Sequence, residues 1–431
     1  MYSNDTQELE QQLQKLKENK EFNNIFNSIE KYLNTPNIKK SLEIIYELIK
    51  DNYCHIFQNI VFKINTSNSN SNSKINAKLD NIIFLSDKDR RNIQSTMPLI
   101  SEISAKYKTN NIKLYVVSKE DEQLNKDIIR RIVSKLFVLI DLFTNAKNTT
   151  YHLYVWLSDL KKYKPNSQQY KLHNHHMISK KTFRSQHINS GATVHNLLEE
   201  TVELFIWRKE EIEKVLLHEM IHTLKLDFMG YPEDLKLDII QKFNIPSSIE
   251  LRLGEAYVET WAVLLNTIYV SFTKSKMNIK KQCKIKSNEF FNLFAMEIFF
   301  TLYQSSKILR HFEYECITGC KVPLLKSENP KEMAHKLFEQ ETSVFSYYLI
   351  KAGILMGLGD FLKFCCKNNK SLLQFVESTV NYEKLHEVFI VSVKKNKLLN
   401  DMTELNLYSK DGNGNELLDN TMRMTLYELE L

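Results

Sequence analysis

Glycine and proline are scarce, at 9 and 7 among 431 residues. That excludes collagen-like and linker-dominated chains and favours long helices joined by few tight turns. No apolar run reaches the ~18–20 residues of a membrane span. The nearest candidate, 290–303, carries Asn292 and Glu297 and reads as a buried core helix. The 6 cysteines, at 54, 283, 316, 320, 365 and 366, are too thinly spread for a disulfide scaffold. The opening MYSNDTQELEQQ lacks the basic start and apolar run of a secretory signal. These features predict free thiols in a reducing, intracellular compartment. Neither sign of charge dominates, with 58 Lys and Arg against 52 Asp and Glu. A nucleic-acid binder needs a sharper, clustered excess. The Lys-rich stretches 161–184 and 274–286 hold few aromatics for base stacking and read as solvated loops. Nucleic acid is therefore not an expected partner.

What is present is ordinary for a folded protein, 43% hydrophobic and 26% charged. The length suits two to four domains or subdomains at roughly 100–200 residues each. Residues 1–65 read as helices, with Leu9, Leu13 and Leu16 and then Leu42, Ile45, Leu48 and Ile49 at helical spacing around a break at Pro36. The polar run 66–73, TSNSNSNS, cannot bury apolar surface, so 66–76 is expected to be a linker or loop. Residues 77–232 read as an α/β unit. Its expected strands are 113–117, 152–157 and 201–208, and its expected helix is 128–143. Residues 233–431 read as almost entirely helical, with a polar turn at 410–415.

Three histidines, His173, His175 and His176, sit in the basic loop and read as solvated. Cys316 and Cys320 lack a second pair at zinc-ribbon spacing. The segment that carries chemistry is 209–228, KEEIEKVLLHEMIHTLKLDF. Glu210, Glu211 and Glu213 fall in its first turns, where the helix dipole favours acids. Inside it lies His218-Glu219-Met220-Ile221-His222. Two histidines at i and i+4 stand one above the other on a helix face. Their nitrogens can converge on one cation, and the adjacent Glu219 can reach a metal-bound water as general base.

A catalytic metal needs a third protein ligand. A Gly at 225 and a ligand at 228 would mark a metzincin, but the chain has Lys225 and Phe228. Asp227, at the expected helix end, reads as facing away from the two histidines. The next candidates lie on a second long helix, 251–272, where Glu255 and Glu259 share a face. One can ligate while the other orients a ligand histidine through its free N–H. Their neighbours, from Ala256 to Leu265, are mostly apolar, and a buried acid without a partner is costly.

HExxH followed by a helix bearing ExxxE resembles the gluzincin branch of zinc metallopeptidases, the thermolysin-like arrangement. The resemblance covers about 70 residues. It implies an α+β, mostly helical fold with a zincin-like core: a small mixed sheet, an active-site helix and a helical C-terminal subdomain. It implies one zinc per chain on His218, His222 and Glu255, and Glu219 as general base. Glu259 would be the acid that hydrogen-bonds a ligand histidine. It further implies that 201–208 or 189–193 is an edge strand that aligns a peptide or protein substrate, and that 234–248 is an inserted helix and turn. The wider context is also similar to zinc metallopeptidases of giant DNA viruses, which would place the chain in host cytoplasm or virion. Tyr347, Tyr348 and His311 are the candidates for steadying the oxyanion. The alternatives are a zincin-fold binding or virion-associated protein with little or no activity, and a basic interaction protein. Oligomeric state is left open by the sequence. Whether such a cleft takes internal bonds or chain ends depends on whether it is open at both ends.

Overall fold

A computed structural model describes residues 1–68, 72–120, 125–165, 168–171, 177–180, 182–196, 201–242, 250–274, 279–311, 340–394, 397–408 and 416–431. The His173 to His176 cluster, Cys316, Cys320 and the 410–415 turn lie outside these residues.

The chain opens with three helices, α1 (Asn4–Glu18), α2 (Lys20–Leu33) and α3 (Pro36–Asn59). Pro36 occupies the first turn of α3, where its missing N–H costs nothing. Strand β1 (Val61–Asn68) follows, then α4 (Asn72–Asp80) and α5 (Asp87–Thr96). Next come β2 (Leu99–Tyr107), β3 (Asn110–Ser118), α6 (Lys126–Phe143) and β4 (Thr150–Trp156). A separate hairpin pairs β5 (Gln168–Lys171) with β6 (Met177–Lys180). The short α7 (Ser185–Ile188) leads into β7 (Gly191–Asn196) and β8 (Thr201–Ile206). Six strands form one mixed sheet in the order β1-β2-β3-β4-β8-β7. β3, β4 and β8 are parallel, and the pairs β1–β2, β2–β3 and β7–β8 are antiparallel. The fold is α+β and mostly helical.

One expectation is corrected here. Thr66 to Asn68 do not leave the fold as a linker, because β1 stays in register with β2 as far as Asn68 opposite Leu99, and α4 starts at Asn72. A strand ladder is made by backbone groups, so polar side chains at an exposed edge do not prevent it.

The alternation read for 201–208 sorts side chains onto the two sheet faces. Leu204 and Ile206 join the main core, while Phe205 and Trp207 join a smaller cluster with Tyr154, Trp156 and Ile93. That outer cluster lies under α4 and α5 and includes the stacked rings Tyr115, Tyr154 and Phe205, with centroids 5.0 and 5.4 Å apart. On the inner face lie α6 and the site helix α8 (Ile212–Thr223). After α9 (Glu233–Lys242) come two long, largely buried helices. α10 (Leu253–Thr273) packs on α8, and a short α11 (Ile279–Gln282) precedes α12 (Asn288–His311). The stretch 290–303 is indeed a core helix, and no helix among the described residues is long and apolar enough to cross a membrane. A π-helical turn (Phe345–Ile350) runs into α13 (Lys351–Met356), followed by α14 (Leu358–Asn368), α15 (Thr379–Lys394), α16 (Lys397–Tyr408) and α17 (Glu416–Asn420). The main core is continuous from Leu9 on α1 to Leu429.

Cys54 on α3 and Cys283 just after α11 are joined by a disulfide, which corrects the expectation of six free thiols. Their separation of 229 residues in sequence gave no spacing cue. The cysteine count therefore carries no argument for a reducing compartment.

Candidate metal centre

The site is built where α8 crosses α10. Lys214, His218 and His222 recur every four residues along α8, so they form one polar stripe on a helix that is almost wholly buried. Glu255 and Glu259 form the matching stripe on α10. The stripes interdigitate. Lys214 Nζ donates to Glu259 at 2.8 and 2.9 Å, and Glu259 Oε2 lies 2.9 Å from His218 Nδ1. Glu255 Oε2 then lies 3.2 Å from His218 Nε2 and 3.3 Å from His222 Nε2. The two Nε2 atoms are 3.2 Å apart.

These three atoms make a nearly equilateral triangle with sides of 3.2–3.3 Å. Tetrahedral coordination with bonds of roughly 2.0–2.1 Å puts neighbouring ligand atoms about 3.3–3.4 Å apart. The donor set of two imidazoles and a carboxylate is one that zinc accepts, with a fourth position left for a small molecule. His218, His222 and Glu255 form the one such cluster of potential metal ligands among the described residues.

Each imidazole is fixed from behind. A carboxylate can only accept, so Glu259 calls the proton of His218 to Nδ1 and leaves the Nε2 lone pair facing the triangle. Asp227 Oδ2 does the same for His222 Nδ1 at 2.8 Å. The expectation that Asp227 faces away is corrected. The helix ends at Leu224, Lys225 takes a left-handed conformation (φ 51°), and the chain turns back. The turn is closed by Leu226 N–H to Ile221 O (3.1 Å) and Lys225 N–H to His222 O (2.9 Å), the paired bonds of a Schellman motif. Glycine usually fills that left-handed position, and its absence hid the turn. Two genuine glycines do matter nearby. A Cβ at Gly254 would lie 2.5 Å from Phe228 O, so Gly254 lets the start of α10 meet the 227–228 segment. A Cβ at Gly191 would lie 2.7 Å from both Glu219 Cγ and Oε1, so Gly191 lets β7 meet the acid.

Glu219 stays out of the triangle and lines the same cleft. Thr193 Oγ1 on β7 lies 2.9 Å from Glu219 Oε2 and 3.0 Å from its backbone O, and can donate to either. Burial raises the Glu219 carboxyl above the usual carboxylate range, against the pull of the two histidines. Burial also raises Glu259, but Lys214 and Lys351 outweigh it and hold the group well below that range. Burial lowers His222, yet Glu255 and Asp227 lift it well above the ordinary imidazole value. His218 is lifted in the same sense by Glu255 and Glu259. A cradle of acids that draws protons onto its imidazoles also draws a divalent cation, which displaces those protons.

The cleft has a volume of about 320 Å³. One wall is Gly191 to Thr193, and β7 ends the sheet order among the described strands, whereas β8 lies inside it. Of the two expected edge segments, the one at 189–193 therefore supplies the edge. A second wall is the start of α10 with Glu250, Arg252 and Glu255. Tyr347 comes from the π-helical turn, its ring centroid 6.1 Å from that of His218, and it lines the cleft together with Glu255. Burial, with Glu255 and Glu219 beside it, raises its phenol well above the ordinary value and keeps it a proton donor. Tyr348 instead donates to Met422 O at 2.6 Å in the core. His311 packs on Phe183, with centroids 4.8 Å apart, and does not line the cleft. Tyr348 and His311 are therefore not at the site.

Asp227 was weighed in the sequence and set aside, and the roles of Thr193, Lys214 and Lys351 were missed. Lys214 could have been found: a lysine four residues before His218 extends the polar stripe through a buried helix. Glu210, Glu211 and Glu213, expected as acids at a helix start, prove to be buried anchors. Glu213 holds Arg131 and Lys135, Glu211 holds Lys162 and the N–H groups of Met424 and Thr425, and Glu210 accepts from Lys162 N. Comparison with protein-family models, curated proteins and solved structures finds no match.

Proposed function

We propose that this chain is a zinc-dependent metallopeptidase of the gluzincin type, with His218, His222 and Glu255 holding one zinc and Glu219 acting as general base. The observation that carries the reading is the 3.2–3.3 Å triangle with each histidine anchored by a buried acid. A metal held there for structure alone has no use for Glu219, an acid in the same cleft that stays out of the triangle. Zinc bound at such a site polarises a carbonyl and brings the pKa of water towards ~7.

The chain's own groups supply the rest. Glu219, whose proton affinity is raised by burial, takes the proton of the attacking water and delivers it to the leaving amine. Thr193 holds one carboxylate oxygen while Gly191 leaves room for the other. Tyr347 donates to the oxygen that gains charge as the carbonyl becomes tetrahedral. A peptide substrate lies along the free edge of β7, where backbone pairing fixes register without regard to side chain. Glu219→Gln keeps the shape and the ligands. It is expected to retain zinc and to lose about 10²–10⁴-fold in peptide hydrolysis. Peptide hydrolysis undiminished in Glu219→Gln, or absent from the zinc-loaded wild type across a diverse peptide library, would sink the reading.

A further inference from the structure

Residues 340–343 bar the cleft, and from this bar we infer that the enzyme shortens peptides from a free carboxyl end and does not cut internal bonds. The inference rests on the peptidase reading above and adds to it the class of substrate. The bar is tied to both walls. On the sheet side Gln340 bridges Phe183, Glu341 N–H donates to Phe183 O at 2.8 Å, and Thr342 Oγ1 donates to Asn189 Oδ1 at 2.7 Å. On the α10 side Gln340 Nε2 donates to Glu250 O at 3.0 Å. All four of its residues line the cleft that holds Glu219 and Glu255. A polypeptide lying on β7 therefore meets a cross-piece at one end.

Which end of the substrate is stopped follows from strand direction. Asn189, where Thr342 is tied, immediately precedes β7. Antiparallel pairing is the more stable kind, and a substrate antiparallel to β7 has its carboxyl end beside residues 189–191. The chemistry at that end agrees. Arg252 lines the cleft next to Glu250, to which the bar is tied. Its pairing with Glu250, at 2.8 and 2.9 Å, engages two of its N–H groups, and its side chain is 52% exposed. The guanidinium fork has five donors, which leaves others for a terminal carboxylate. The reaction is hydrolysis of a peptide bond near the chain end. Water gives its oxygen to the carbonyl carbon, the C–N bond breaks, the amine leaves with a proton from water by way of Glu219, and no other reactant is needed.

The test is a set of peptides of one sequence incubated with the zinc-loaded full chain, with products read by mass spectrometry. Loss of residues from the carboxyl end, little effect of N-acetylation, and at least about tenfold slower cleavage after C-amidation are expected. Arg252→Ala should erase the preference for the free carboxyl form over the amide at unchanged zinc content. Releasing the bar with Gln340→Ala and Thr342→Ala together should raise internal cleavage. Internal cuts in the acetylated, amidated peptide as fast as end cuts in the free one would overturn the inference and leave the peptidase reading standing. Shortening from the amino end would do the same. No cleavage of any peptide would overturn both.

Discussion

At the scale of single residues, the site depends on groups that never touch the proposed zinc. Glu259 and Asp227 decide which nitrogen of each histidine faces the triangle. Asp227 is the cleaner one to probe, because Glu259 also balances the buried Lys214. Asp227→Ala frees the His222 ring to rotate and to move its proton to Nε2. It is expected to weaken zinc binding by about 10–100-fold, measured by competition with a chelator, with the fold intact by circular dichroism. Unchanged affinity would mean that the Schellman turn places Asp227 beside His222 without consequence. HExxH was legible because a four-residue spacing on a helix fixes a geometry. Asp227 was not, because its approach depends on a left-handed Lys225 that nothing in a lysine announces.

Between elements, close approach is set by the few glycines. Gly254 stands where the α10 backbone meets Phe228 O, and a backbone oxygen cannot swing aside as a side-chain tip can. Gly254→Ala must push α10 from the 227–228 segment, and Glu255 is the next residue. The expected result is a loss of about 1–3 kcal/mol in denaturant unfolding, together with weaker zinc binding. Stability lost with zinc affinity unchanged would detach this contact from the site. The scarcity of glycine in the sequence predicted long helices, and α3, α10 and α12 bear that out. It did not predict that Gly191 and Gly254 would both be spent on the site. Strand β1 ran further than the polar run 66–73 suggested, because pairing with β2 draws on backbone groups that composition does not report.

Across the whole molecule, buried charge is the unusual property. The last eleven residues thread behind α8. Met424 O accepts from Lys351 at 2.9 Å, and Leu426 N–H donates to Glu297. Glu297, fully buried on α12, has its carboxyl raised by burial to about 7 even though Lys351 opposes the shift. For an acid raised in the folded state, the native form keeps its proton while the unfolded form loses it. Its contribution to stability is therefore greatest below about pH 4.5, the unfolded value, and falls as pH rises through the folded value near 7. Over that window the loss is about 3 kcal/mol at most. Glu297→Gln keeps an acceptor for Leu426 N–H and removes the titration. The wild type's decline in unfolding free energy between pH 4.5 and 7 should flatten in this variant. An identical decline in both would assign the pH dependence to another group. Such pairings between distant segments, like the disulfide Cys54–Cys283, leave no periodicity in sequence, so the helical class was readable and the assembly was not.

If His218, His222 and Glu255 together hold zinc, metal analysis of the purified chain finds one zinc per chain in the wild type and in Glu219→Gln, and none in Glu255→Ala with the helices intact. Full zinc in Glu255→Ala, or a wild type that cannot be loaded with zinc, would contradict that ligand set.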